Sequence, residues 1–122
     1  MDSNQENDDM AHKGFVVEIE VGKSHLVDQF ITACEGGSNY WCKSVTPKGK
    51  GDAYEAMMNG FEAIELESGK KHLVTRAMIQ KGLKLMATSY SYHFSNMMTD
   101  DGDAETGDVF LQLCVFGELI YG

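Results

Sequence analysis

The chain has 122 residues and a mass of 13.5 kDa, the size of one ordinary domain. Its composition, 43% hydrophobic and 24% charged with a single proline, excludes wholesale disorder and collagen-like or low-complexity fibres. No apolar run approaches the roughly 20 residues that span a bilayer. The odd count of three cysteines favours reduced thiols in a cytosol-like compartment.

The net charge of −9 is concentrated in two places. Residues 15–99 carry nine acidic and nine basic side chains, so this stretch sums to zero. The excess acids lie in residues 1–13 and in residues 100–108. A protein that binds bare nucleic acid needs a basic footprint, so direct nucleic-acid binding is not expected. The charge layout favours a protein partner with a basic surface, and solubility with helix-end electrostatics is the alternative explanation.

The predicted elements begin after a polar start. Residues 1–14 are interpreted as a disordered acidic tail, and residues 15–122 as a single domain. Apolar and acidic residues alternate toward the end of Phe15–Val21, which predicts a half-exposed strand. An apolar stripe at helical spacing then predicts a helix that is capped by Ser24 and ended by Gly36-Gly37.

A second strand is predicted over Tyr40–Val45, with a break at Pro47. Asp52 and Glu55 resemble a capping box for a short helix. That helix is expected to stop near Asn59-Gly60, where glycine interrupts it.

A β-hairpin is predicted where residues 61–66 and 71–74 flank Ser68-Gly69. Thr75 is the expected N-cap of the next helix, whose apolar residues follow at helical spacing up to Tyr90. The residues beyond Tyr90 fit either a strand or a helix.

A largely buried last helix is predicted to begin at Thr106 and to end at Gly117. The short segment 119–121 that follows could return to the sheet. The resulting order predicts an α+β fold, with a small, mostly antiparallel sheet and helices packed on one face.

No motif in the sequence specifies catalysis, a metal or a cofactor. The segment Gly37–Ser44 has almost the spacing of a phosphate-binding loop, but a helix precedes it and a strand follows, the reverse of the required order. The four histidines and three cysteines do not cluster as zinc ligands do. The acidic stretch from Asp101 lacks the glycine and glutamate of a calcium loop. We therefore predict a non-enzymatic protein without cofactor.

The predicted partner-binding residues belong to two segments. Both are chosen for chemistry that suits a protein interface: carboxylates for long-range attraction and an aromatic side chain as an anchor. On a strand Tyr40 and Trp41 point to opposite faces, so one can lie in the core while the other faces outward. The predicted set is Asp100, Asp101, Asp103, Glu105, Tyr40 and Trp41.

Two segments carry a resemblance. The sequence Glu35-Gly36-Gly37-Ser38-Asn39-Tyr40-Trp41, and the C-terminal stretch from Asp108 to Gly122, resemble a group of small uncharacterised proteins encoded by tailed bacteriophages. The resemblance covers about residues 15–122 and assigns no catalytic residue. It implies a phage product that acts in the cytoplasm of an infected bacterial host.

The expected function is inhibition or modulation of a host protein, for example a defence protein, through an acidic surface. One alternative is a protein that binds or sequesters a small anionic ligand, such as a nucleotide signal, near Lys48, Lys50 and Tyr40-Trp41. A second alternative is a structural or assembly role in the virion. The eight methionines also suit an adaptable contact surface, which favours a homodimer.

Overall fold

The computed structural model describes residues 14–51 and 53–122. These residues form the following elements in chain order: α1 (Lys23–Thr32), β1 (Cys42–Pro47), α2 (Ala53–Ala56), β2 (Phe61–Glu65), β3 (Lys71–Val74), α3 (Arg76–Ser89), α4 (Ser91–Met98) and α5 (Ala104–Phe116). A π-helical turn, Ala33–Gly37, extends α1, and a 3₁₀ turn, Met57–Asn59, extends α2.

The three strands form one antiparallel sheet in the order β1-β2-β3. Phe61 and Val74 face each other across β2 and β3, and both are buried. Leu73, the neighbour of Val74 on β3, points to the opposite side and is 58% exposed. One face of the sheet therefore meets the helices, and the predicted α+β fold is confirmed.

Helix α5 runs through the centre of the protein. All ten residues from Thr106 to Val115 are buried, as expected for a helix that is apolar on more than one side. The Phe110 ring packs edge-to-face on Phe30 of α1, with 5.1 Å between ring centroids. Phe30 in turn packs edge-to-face on Phe61 of β2, at 5.5 Å. This aromatic row ties α5 and α1 to the sheet.

Small residues let the helices approach α5 closely. A Cβ atom built on Gly82 of α3 would lie 3.0 Å from the backbone nitrogen of Cys114. A Cβ on Gly107 of α5 would lie 2.9 Å from Cγ2 of Thr32, and one on Gly37 would lie 2.4 Å from the carbonyl oxygen of Ala104. Glycine at these positions therefore sets the distances between helices.

The strand predicted over Phe15–Val21 is wrong for this structure. Residues 14–22 form neither helix nor strand, and residues 14–20 are exposed. The alternating pattern satisfies the side-chain requirement of a strand, but a strand also needs a neighbour for its backbone groups. The structure places no strand beside this segment.

Two predicted helix starts are shifted. Helix α1 begins at Lys23 with Gly22 at its N-cap, and no side chain caps it, so Ser24 is not the cap. Helix α5 begins at Ala104 rather than Thr106, because the Asp103 carboxylate serves as its N-cap. The ends at Gly36-Gly37 and Gly117 are confirmed, and Gly117 has the left-handed backbone of a C-cap.

The remaining predictions are resolved as follows. The hairpin is confirmed, and so is the N-cap of α3, where Thr75 Oγ1 accepts from the Met78 amide at 3.2 Å. Residues 91–98 are helical, so the helical alternative is correct there. Residues 119–122 do not join the sheet. Asp52 and residues 1–13 lie outside the described residues.

None of the helices among the described residues combines the length and the apolar character needed to cross a membrane.

Candidate functional site

The acidic turn, which we define as Asp100, Asp101, Asp103 and Glu105, connects α4 to α5. Asp100 adopts a positive φ of 62°, a backbone conformation that aspartate tolerates better than most residues. The Asp101 amide donates to the Asn96 carbonyl at 2.8 Å, so the turn is held against the end of α4.

Asp103 has a structural role within the acidic turn. Its Oδ1 atom accepts from the Thr106 amide at 3.0 Å and from the Thr106 hydroxyl at 3.1 Å. These bonds stabilise the ionised carboxylate, and the backbone bond is the main reason that the pKa of Asp103 lies below its ordinary value. Asp103 therefore carries a negative charge at the N-terminus of α5, where the helix dipole favours one.

The other three acids reach solvent. The side chains of Asp100 and Glu105 are 71% and 76% exposed, and Asp101 is exposed as well. His25 Nδ1 lies 3.2 Å from Asp100 Oδ1 without forming an aligned hydrogen bond. His93 Nε2 lies 4.0 Å from Glu105 Oε2. Within residues 14–51 and 53–122, no lysine or arginine forms an ion pair with the acidic turn.

Tyr40 and Trp41 converge on one buried carboxylate, that of Asp108. Trp41 Nε1 donates to Asp108 Oδ1 at 2.7 Å, and Tyr40 Oη donates to Asp108 Oδ2 at 2.6 Å. The Ser38 hydroxyl donates to Oδ1 at 2.7 Å, and Gln112 Nε2 donates to Oδ2 at 3.0 Å. We call Asp108 and these four donors the carboxylate network.

The two aromatic residues differ in their access to solvent. Trp41 is only 2% exposed, whereas Tyr40 is 50% exposed. Desolvation, together with the hydrogen bond to Asp108, raises the pKa of Tyr40 to about 12, so its hydroxyl remains a donor at neutral pH. One residue is therefore in the core and the other at the surface, and Tyr40 is the one that a partner could reach.

Both predicted segments meet the first two turns of α5. Asp103 caps this helix, and Asp108, which holds Tyr40, follows five residues later. At a rise of 1.5 Å per residue, that separation is about 7.5 Å along the helix axis. The structure thus brings Tyr40 near the acidic turn, although some sixty residues separate them in the chain.

Sequence reasoning missed the role of Asp108 and Gln112, because Asp108 was counted with the solvated acids. Gln112 Oε1 accepts from the Ile120 and Tyr121 amides at 2.8 and 2.9 Å. The available signal was a polar pair at i and i+4 on an otherwise apolar helix, which requires hydrogen-bond partners once buried.

The C-terminal residues cover Trp41. The Tyr121 ring stacks on Trp41 with 5.4 Å between centroids and an interplanar angle of 7°. The Tyr121 hydroxyl donates to the Glu65 carboxylate, which also contacts His72 Nε2 at 2.7 Å. These hydrogen bonds hold the pKa of Glu65 below its ordinary value. The contacts explain why Trp41 is buried near the end of the sheet.

A separate cavity of about 350 Å³ lies between the π-helical turn, β1 and α2. It is lined by Cys34, Cys42, Lys43, Tyr54 and Met57, among others. Lys48, Lys50 and the Tyr40-Trp41 pair do not line it, so the ligand site predicted near those residues is not assembled here.

The three thiols show no sign of activation. Burial raises the pKa of Cys34 to about 11 and is also the main cause of the raised pKa values of Cys42 and Cys114. Raised values keep a thiol protonated and weakly nucleophilic. In the described part of the chain, no three histidine, cysteine, aspartate or glutamate side chains are grouped so that they could hold a metal ion.

Comparison of the chain with protein-family models, with curated proteins and with solved structures yields no match.

Proposed function

We propose that this protein is a non-enzymatic binding module that docks onto a basic surface of another protein through the acidic turn, with Tyr40 as the adjacent aromatic contact. The observation that carries the proposal is the exposure of Asp100, Asp101 and Glu105 without a lysine or arginine partner among the described residues. Exposed carboxylates of this kind attract a cationic surface over several ångströms and accelerate encounter.

The frame around the acidic turn supports the proposal. Asp103 fixes the turn to the start of α5, and the turn is bonded back to the end of α4. A partner would therefore meet carboxylates on a supported turn between two helices, and it would lose less conformational entropy than on binding a free tail.

The resemblance to small phage proteins suggests where such a partner would be met. In this proposal the partner is a bacterial host protein with a basic face, such as a defence protein with a nucleic-acid channel. The inhibition would follow from occupying that face.

An affinity capture experiment tests the proposal. Wild-type protein and a variant with Asp100→Asn, Asp101→Asn and Glu105→Gln are exposed to host lysate at about 0.1 M and about 1 M salt, where the screening length falls from about 10 Å to about 3 Å. We expect a partner that is retained by the wild type at low salt and lost both at high salt and from the variant.

The matched control changes the net charge equally at other positions, with Glu62→Gln, Glu67→Gln and Glu118→Gln. It should capture the same partner as the wild type. Equal capture by all three proteins would contradict a docking role for the acidic turn.

A small-ligand function is the second candidate, and the 350 Å³ cavity favours it. This volume is at the lower end of ligand pockets, and Lys43 supplies one positive charge for an anion. A nucleotide that binds only the folded protein would raise the melting temperature. Ala53→Trp, at the cavity wall, should abolish that rise, whereas Ala77→Trp on the exposed side of α3 should not. No rise across a panel of anionic nucleotides would exclude this function.

A further inference from the structure

The residues from Phe15 to Val21, which we call the N-terminal arm, have the side-chain pattern of a strand but no strand beside them. Phe15, Val17 and Ile19 are 100%, 77% and 59% exposed. The backbone of the arm forms no hydrogen bond with any described residue. Contiguous exposed apolar side chains with open backbone groups are typical of a segment that pairs with another chain.

The arm is also loosely seated in this structure. A groove of about 1060 Å³ is lined by the arm on one side and by α3 on the other, including Ile79 and Leu83. The arm therefore leaves most of its apolar surface open to solvent. A position that buried Val17 and Ile19 would be favoured by about 1.5–3 kcal/mol for each fully buried side chain.

The edge of β3 offers the backbone groups that the arm lacks. The Glu65 amide donates to the Lys70 carbonyl at 2.9 Å, which fixes the alternation of the β2-β3 ladder. In that alternation His72 and Val74 turn their backbone groups toward β2, and Lys71 and Leu73 turn theirs away from it. No hydrogen bond from another described residue reaches the backbone of Lys71 or Leu73. Both side chains are exposed, so the edge is accessible.

The charges of the arm and the edge are complementary. An antiparallel register that places Glu20 opposite Lys71 also places Ile19 opposite His72, on the face of the sheet that meets the core. Two arms paired with each other would instead place Glu18 opposite Glu20, and like charges directly opposite are destabilising. The edge of β3 is therefore a better neighbour for the arm than another arm.

We propose that the N-terminal arm of one copy of this chain adds as a fourth strand to the free edge of β3 in a second copy. Because each copy has one arm and one edge, the exchange is reciprocal and closes as a twofold-symmetric dimer. The pairing would use the backbone groups of Lys71 and Leu73 and would shield the apolar side chains of the arm.

The mass of the full chain in solution tests this inference by analytical ultracentrifugation. We expect a species of twice the chain mass of 13.5 kDa. Glu20→Pro removes an amide that the pairing requires and lies outside every helix and strand, so it should give a folded monomer. A monomeric wild type, or a dimer that persists in Glu20→Pro, would overturn the proposal.

Charge reversal identifies the edge. Glu20→Lys and Lys71→Glu should each weaken dimerisation about tenfold, because the symmetric dimer contains the pair twice. The double variant should restore most of the loss, whereas Lys84→Glu on α3 should have little effect. Two losses that simply add in the double variant would contradict the proposed register, and circular dichroism confirms that each variant folds.

Discussion

Asp108 accepts hydrogen bonds from four side chains, and three of its donors lie about seventy residues earlier in the chain. A hydrogen bond to a charged group contributes roughly 1.5–3 kcal/mol, and a buried donor left without an acceptor costs about 1–3 kcal/mol. The carboxylate is therefore an organising group for this end of the fold, joining α5 to the loop before β1.

We predict that Asp108→Ala lowers the free energy of unfolding by roughly 2–4 kcal/mol, because the buried Ser38 and Trp41 donors lose their acceptor. Urea unfolding followed by the fluorescence of Trp41, the single tryptophan, measures this change. Asp101→Ala on the exposed turn is the matched control and should stay within about 0.5 kcal/mol. A loss below about 1 kcal/mol in Asp108→Ala would contradict an organising role.

Local interactions at single residues could be predicted from the sequence, and distant ones could not. The Thr75 cap and the Gly117 end depend on neighbours within a few positions, so the residue type is informative. The partners of Asp108 come from a remote loop. Its position within an acidic stretch therefore suggested a solvated role instead.

At the scale of elements, α5 is positioned by what its neighbours lack. Gly82 of α3 faces the backbone of Cys114 so closely that a side chain must displace one of the two helices. The periodicity of the sequence predicted both helices, because apolar spacing reports which face is buried. It carried no information about the distance between them.

Gly82→Ala tests this close approach. Alanine gains about 1 kcal/mol of helix propensity over glycine, but its Cβ would lie 3.0 Å from the Cys114 nitrogen and 3.1 Å from the Cys114 Cα. We expect a net loss of roughly 1–3 kcal/mol, seen as a lower melting temperature. Gln80→Ala, exposed on the same helix, should be neutral or slightly stabilising. An unchanged or higher melting temperature for Gly82→Ala would show that the contact is less tight than described.

The N-terminal arm shows the limit of prediction for a strand. Its alternation specifies which side chains share a face, but not which backbone will pair with it. The hairpin of β2 and β3 was predictable because both partners lie next to each other in the chain around Ser68-Gly69. A strand that pairs with a distant segment or a second copy carries no comparable local signal.

At the scale of the whole molecule, the charge layout seen in the sequence persists in part. Asp103 is committed to the start of α5, whereas Asp100, Asp101 and Glu105 remain exposed. The sequence predicted a cluster of acids in one bend but could not separate the structural acid from the available ones. That separation follows from the cap geometry, and it makes three carboxylates the basis of the proposed docking surface.

The most direct test is the salt dependence of binding between this protein and the purified partner from the capture experiment. The dissociation constant is measured over a range of salt concentrations for the wild type and for the Asp100→Asn, Asp101→Asn, Glu105→Gln variant. We predict that the variant binds roughly tenfold more weakly at low salt, since each exposed charge contributes up to about 1 kcal/mol, and that the two proteins converge as salt is raised. Equal affinities and equal salt slopes for the two proteins would contradict the account.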